Sequence, residues 1–186
     1  MLILASKSPR RKQLLEENIN SSFLIISSSY KEELDINKTP LDNVCRLAYK
    51  KGETVFTEHP NDIVLSCDTI VTLNNKIYGK PKDKKEAYVF LKELSNKTHE
   101  VITAYSIFYK GNVINNHVIS KVTFNCLSDE LITSYIATGS PFDKAGGYGI
   151  QDPSGKLLVK EYEGSLSNII GMPIEEIKKD LEGLKY

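Results

Sequence analysis

Two strand-like runs, Thr98 to Tyr109 and Val113 to Cys126, flank Lys110-Gly111-Asn112. A hairpin with arms of that length commits the chain to an antiparallel component in its sheet. A second reversal stands upstream, where the apolar run Ile63 to Leu73 meets Asn74-Asn75 and returns as a short partner ending at Lys80-Pro81. Helical segments are interleaved with these strands. Ser8-Pro9 opens one as N-cap and first helical residue, after the short buried strand Leu2 to Ala5. After the strand-like Phe23 to Ser27, Thr39-Pro40 opens another, with Leu41, Val44, Leu47, Ala48 and Val55 on one stripe. Asp83 and Glu86 form a capping box ahead of Ala87, Phe90, Leu91 and Leu94. Ser128 caps a helix that stops at Gly139, and the last helix starts at Pro173. A glycine-rich loop, Gly146-Gly147-Tyr148-Gly149, leads toward a strand expected over Leu157 to Lys160. Long hairpins mixed with helices predict an α/β fold with a mixed, partly antiparallel sheet, in place of a regular Rossmann repeat.

The 186 residues make one domain, or two small lobes sharing a core. Lys plus Arg and Asp plus Glu balance at 24 each, which argues against broad electrostatic binding to nucleic acid or anionic lipid. No apolar run approaches the ~18 residues of a membrane span, so a cytosolic, non-membrane protein is expected. Cys45, Cys67 and Cys126 form no C-x-x-C, and His59, His99 and His117 have no zinc-ligand spacing. They read as reduced thiols in a cytosolic core.

Chemistry is concentrated at a few positions. A helix N-terminus carries about half a positive charge, so acids normally occupy its first turn. Here Arg10 and Arg11 stand there, with Lys7 and Lys12 beside them. Either this is a solvated basic helix start, or it holds a phosphate through N–H groups, the Ser8 hydroxyl and an arginine fork. Asp68 lies inside an apolar strand, where a carboxylate is costly unless it is paired, metal-bound or bonded to backbone N–H groups. Alternation puts it on the face of Ser66 and Ile70. Lys51 projects from the apolar stripe of its helix, either to snorkel into water or to aim into a cleft. Lys80 has the same ambiguity, and Glu32, taken alone, reads as surface charge. Together these residues supply several cations and one or two carboxylates, as a triphosphate site needs. Walker A, nucleophile-elbow and zincin motifs are missing from the sequence.

The runs Leu4-Ala5-Ser6-Lys7-Ser8-Pro9-Arg10-Arg11, Cys67-Asp68-Thr69-Ile70-Val71, Gly79-Lys80-Pro81 and Asp143 to Gln151 resemble the Maf family of nucleoside triphosphate pyrophosphatases, in order and spacing. The resemblance implies a single domain over 1–186: an elongated mixed sheet with flanking helices, two lobes around a cleft, similar to inosine triphosphate pyrophosphatase. It implies hydrolysis of a nucleoside triphosphate to the monophosphate and pyrophosphate, with a divalent cation (Mg²⁺ or Mn²⁺) whose ligands it does not assign. On that resemblance Asp68 matches the catalytic acid, Glu32 an acid near the reaction centre, and Ser8, Arg10, Arg11, Lys51 and Lys80 the phosphate-binding groups. Arg10, Thr69 and Gln151 match the positions that separate the dTTP/UTP branch from a 7-methyl-GTP relative. A carboxamide such as Gln151 can serve both the acceptor and the N–H of a uracil or thymine edge.

Three departures stand out: Asp152-Pro153 where the family has Gly, Ser66-Cys67 in place of Gly-Ala, and Lys31 beside Glu32 where a second acid is common. The expected substrates are dTTP and UTP, with modified pyrimidine triphosphates as further candidates. Rival readings are a house-cleaning enzyme for damaged purine triphosphates and a non-catalytic nucleotide-binding regulator of cell division. No nucleic-acid or membrane partner is expected. A homodimer agrees with the base rate for soluble enzymes, with nothing in the chain to pin an interface.

Overall fold

A computed structural model describes residues 1–184; Lys185 and Tyr186, the last two residues of the expected domain, lie outside the described residues. The strands are β1 (Leu2–Leu4), β2 (Phe23–Ile25), β3 (Ile63–Leu73), β4 (Lys76–Tyr78), β5 (Thr98–Tyr109), β6 (Asn112–Phe124) and β7 (Val159–Glu163). The helices are α1 (Pro9–Asn18), α2 (Pro40–Glu58), α3 (Lys84–Leu94), α4 (Asp129–Ala137), α5 (Leu166–Ile170) and α6 (Ile174–Gly183). One seven-stranded sheet runs β2-β1-β3-β5-β6-β7, with β4 paired to β3. It is mixed, as the hairpins require: β1 pairs in parallel with β2 and β3, whereas β3–β4 and β6–β7 are antiparallel.

The local signals act as their chemistry dictates. Asn74 and Asn75 both take positive φ, 51° and 63°, the conformation of a two-residue hairpin turn matched to strand twist. Ser8, Thr39, Asp83 and Ser128 each accept a backbone N–H at a helix start. In the α3 capping box Glu86 reaches back to the N–H of Lys82 (2.8 Å), one residue before the cap itself.

The chain divides into two compact units. The first comprises Met1–Thr69, Thr103–Val118 and the chain from Leu166 onward. On one side of its sheet Leu2, Leu4, Leu65, Cys67, Tyr105 and Ile107 pack with Leu15 of α1 and with Ile174, Ile177 and Leu181 of α6. On the other, Ile3, Val64 and Phe108 pack with Val55 of α2. The second unit comprises Ile70–Ile102 and Ile119–Ser165, where α3 packs on α4 and His99, Phe124 and Tyr148 form an aromatic cluster.

Two expectations are corrected. The strand placed at Leu157–Lys160 is Val159–Glu163; Gly155–Leu157 forms a 3₁₀ turn that leaves Leu157 exposed. Cys126 is exposed and Cys45 half-buried, so of the three free thiols only Cys67 is a core residue. Helix α5 was not expected, because five residues are too few to display a helical period. Among the described residues no helix is long and apolar enough to cross a membrane.

Candidate active site

The first unit gathers seven of the nine residues singled out in the sequence: Ser8, Arg10, Arg11, Glu32, Lys51, Asp68 and Thr69. Its geometry starts with the close approach of α2 to the sheet. A Cβ at Gly52 would overlap the Phe108 ring and lie 2.5 Å from Ser66 Oγ, so only glycine lets the helix come this near. The Ser66 hydroxyl, on the same face of β3 as Asp68, donates to Ala48 O of α2 at 2.7 Å. One turn along the helix, Lys51 Nζ meets Asp68 Oδ1 in a short, buried ion pair and lies 2.8 Å from Glu32 Oε1. Lys51 therefore does not snorkel, and Glu32 is not merely surface charge. Asp68 is 6% exposed. Burial pushes its carboxyl above the usual carboxylate range, against the pull of Lys51 and, more weakly, of Arg11.

The arginine-rich start of α1 meets the opposite side of β3. Pairing of β1 with β3 runs through Leu4↔Leu65, and the Ala5 N–H donates to Leu65 O at 2.7 Å. Beyond this β1 ends, and Arg11 takes over. Its Nη1 donates to Cys67 O (2.9 Å) and Ser6 Oγ (3.3 Å), Nη2 to Thr69 Oγ1 (3.0 Å), and Nε to Gly171 O (2.8 Å). The guanidinium thus grips the strand on either side of Asp68, and four of its donations go to the protein. Ser8 caps the helix at the long distance of 3.5 Å, and Arg10 follows Pro9 in a first turn that carries no acid.

A second layer of polar groups holds Thr69. The Thr103 hydroxyl donates to Asn168 O (3.0 Å) and the Thr103 N–H to Asn168 Oδ1 (3.2 Å). With the Thr103 proton so used, Thr69 is the donor in the 2.9 Å bond between the two hydroxyls. Ser6, Thr103, Asn168 and Gly171 were not among the expected site residues. Ser6 stood in the cap segment and could have been weighted. Asn168 carries no spacing signal, because it arrives from a distant segment through α5.

Lys80 and Gln151 belong to the second unit, and both are exposed. They share a framework: the Gly146 N–H donates to Gly79 O at 3.0 Å, tying the glycine-rich loop to the turn that carries Lys80. The charge that Asp152 brings to this loop is compensated, since its carboxylate lies 3.4 Å from Lys144 Nζ.

Two hard oxygen donors, Asp68 and Glu32, converge on a single ammonium, so the site is shaped to hold positive charge between two carboxylates. Among the described residues no group of three or more His, Cys, Asp or Glu could hold a metal. A small divalent cation usually takes one or two carboxylates and completes its shell with water and substrate phosphates, so this donor set fits Mg²⁺ or Mn²⁺.

The mixed seven-stranded sheet with its flanking helices defines the class: an α/β fold similar to that of the Staphylococcus aureus Ham1 protein. That structure matches with a TM-score of 0.54 over 99% of each chain, at 14% identity, and speaks for the fold alone. The family is shown by sequence. The family model described as "Maf-like protein" matches residues 1–184. A Pyrococcus furiosus relative named dTTP/UTP pyrophosphatase is 44% identical over 97% of this chain and 94% of its own length. A relative of the same name from Clostridioides difficile is 45% identical over 95% of this chain and 91% of its own. The chain belongs to the Maf family.

Proposed function

We propose that the chain is a nucleoside triphosphate pyrophosphatase that acts on dTTP and UTP, with Asp68 as its base. The observation that carries this is the burial of Asp68 against Lys51, with Glu32 on the same ammonium and Arg11 gripping the strand beside it. The names of the relatives support the substrate class.

Asp68 accepts a proton from water as the water oxygen bonds to the α-phosphorus, and the bond from that phosphorus to the α–β bridging oxygen breaks. The products are the nucleoside monophosphate and pyrophosphate. Burial raises the affinity of Asp68 for the proton it takes, and Lys51 pulls the other way, toward the ionised form that acts as base. Arg10, Lys51 and Lys80 bind the β- and γ-phosphates and stabilise charge on the departing pyrophosphate. Arg11, bonded to Cys67 O, Thr69 and Gly171, orients this part of β3 and adds positive field next to Asp68. Asp68 and Glu32 would hold a divalent cation, which supplies charge neutralisation on the phosphates when bound. Thr69 and Gln151 contribute to the choice of nucleotide, Gln151 by pairing with the acceptor and N–H of the pyrimidine edge.

Purified protein is incubated with a panel of triphosphates and Mg²⁺ or Mn²⁺, and pyrophosphate release is measured. Release from dTTP and UTP with the highest kcat/KM is the expected result. No release from any of them overturns the proposal, and tight binding without turnover would favour a nucleotide sensor. Asp68→Asn should lower kcat by about 10²–10⁴-fold while nucleotide binding persists; near-normal turnover would remove Asp68 from its role.

A further inference from the structure

Asp152 follows Gln151 in the chain, and it is the centre of a closed hydrogen-bond network. Lys144 Nζ, almost fully buried, donates to Ser140 O (2.8 Å), Ser140 Oγ (3.0 Å) and Asp143 Oδ1 (2.8 Å), and lies 3.4 Å from Asp152 Oδ2. Having accepted from lysine, the Ser140 hydroxyl donates its own proton to Asp152 Oδ2 in a short bond. A second path reaches the same oxygen. The Gly149 N–H donates to Tyr135 OH (3.0 Å), and that hydroxyl points at Asp152 Oδ2 (3.5 Å).

These paths close on the turn that carries Gln151. The Asp152 N–H donates to Gly149 O (3.2 Å), so Gln151 occupies the third position of a four-residue turn. There is no slack in it. A Cβ at Gly149 would lie 2.6 Å from Asp152 Oδ2 and 2.6 Å from Lys144 Cε, and one at Gly155 would overlap the Gly149 carbonyl oxygen. The backbone on both sides of Gln151 is therefore pinned, through Tyr135 on one side and through Ser140 and Lys144 on the other. Gln151 itself is exposed. A flexible amide must be ordered before it can discriminate between bases, and a rigid turn removes most of that cost.

We propose that Asp152, with Tyr135, Ser140 and Lys144, is a positioning clamp that holds Gln151 in register for a pyrimidine base and so sets the base preference of this enzyme. The clamp rests on the reading of Gln151 given above. Its role is specificity, since none of its members is assigned to the phosphates or to the attacking water.

Kinetics of Asp152→Asn and Tyr135→Phe test it, with Gln151→Ala as comparator. Asp152→Asn keeps the side chain's shape and one acceptor oxygen but removes the charge that faces Lys144; Tyr135→Phe removes the hydroxyl that accepts from the Gly149 N–H and faces Ser140 and Asp152. Both should raise KM for dTTP and UTP about 10-fold with kcat within about twofold, and shrink the preference for dTTP over GTP in kcat/KM. Unchanged KM and base preference in both variants would overturn the clamp, and so would a fall in kcat equal for every triphosphate. If Gln151→Ala loses the preference while both clamp variants keep it, this inference alone fails. If the wild-type protein releases pyrophosphate from no triphosphate, the underlying reading fails with it.

Discussion

Asp68 and Lys51 show how a charge is made affordable in a strand that is otherwise core. Each is nearly sealed from solvent, and each is the other's direct partner. Breaking such a pair from one side leaves an uncompensated buried charge, a loss of about 3–5 kcal/mol. Lys51→Met is therefore expected to lower the urea midpoint strongly at neutral pH. The sign with pH follows from the raised carboxyl of Asp68. A carboxyl with a folded pKa above its unfolded value binds more protons when folded, so stability declines as pH rises from about 3.9 through the folded value. Lys51→Met pushes that folded value higher, because the cation that favours the ionised form is gone, and the decline extends to higher pH. The same group shapes catalysis: kcat/KM should fall as the solution is acidified through a limb lying above the ordinary aspartate range. An acid limb at about 3.9 in the wild-type profile would contradict the geometry.

At the scale of elements, the site depends on how near α2 comes to β3. Gly52 is the contact that permits it, with Phe108 and Ser66 where a side chain would begin. Gly52→Ala overpacks this junction, at a cost of about 1–3 kcal/mol in stability. It should also lower kcat, because Lys51 is the next residue and would be lifted away from Asp68. Thermal unfolding and steady-state rates on the same preparation check both effects; a variant with native Tm and kcat would show that the helix has room to spare. Helix α1 plays a different part. Its basic start is not simply an anion cradle, because Arg11 has been drawn into the framework of β3 and the α5–α6 connection.

At the scale of the whole molecule, folding stability has a second pH-sensitive contribution in the buried histidine of the second unit. His99 Nε2 bonds to Tyr148 OH at 2.7 Å, and burial lowers its pKa from 6.5 to about 4. The unfolded chain takes up this proton first, so the stability is present above pH 6.5 and lost as pH falls toward about 4. A difference of that size corresponds to about 3 kcal/mol. The Asp68 effect runs the opposite way, since its carboxyl is raised in the fold. Urea unfolding of the wild type and of His99→Gln at pH 7.5, 6, 5 and 4 separates the two. The wild type should lose stability on acidification, and the variant should show a shallower slope. Parallel curves would show that His99 takes up its proton alike in the folded and unfolded chain, against the burial seen in the structure.

Caps, hairpin turns and the aspartate embedded in β3 were legible in the amino-acid order, because each is set by a few neighbouring residues: Asn74-Asn75 for a turn, Ser8-Pro9 for a helix start, apolar alternation around Asp68. Helix α5 was not, because five residues are too few to show a period, and neither was the Thr103–Asn168 bond, which joins segments more than sixty residues apart. The end of the chain's glycine-rich region was misread for a related reason: Leu157 looks like the start of a strand, yet a 3₁₀ turn exposes it. Which cation meets which acceptor was likewise decided only by the fold. In sequence Arg11, Lys51, Lys80 and Lys144 are equivalent positive charges; in space one caps a strand edge, one neutralises the buried acid, one stands exposed on a turn and one braces a loop. Sequence determines what a side chain can bond to. Only the approach of one backbone to another determines what lies within the few ångströms over which such a bond exists.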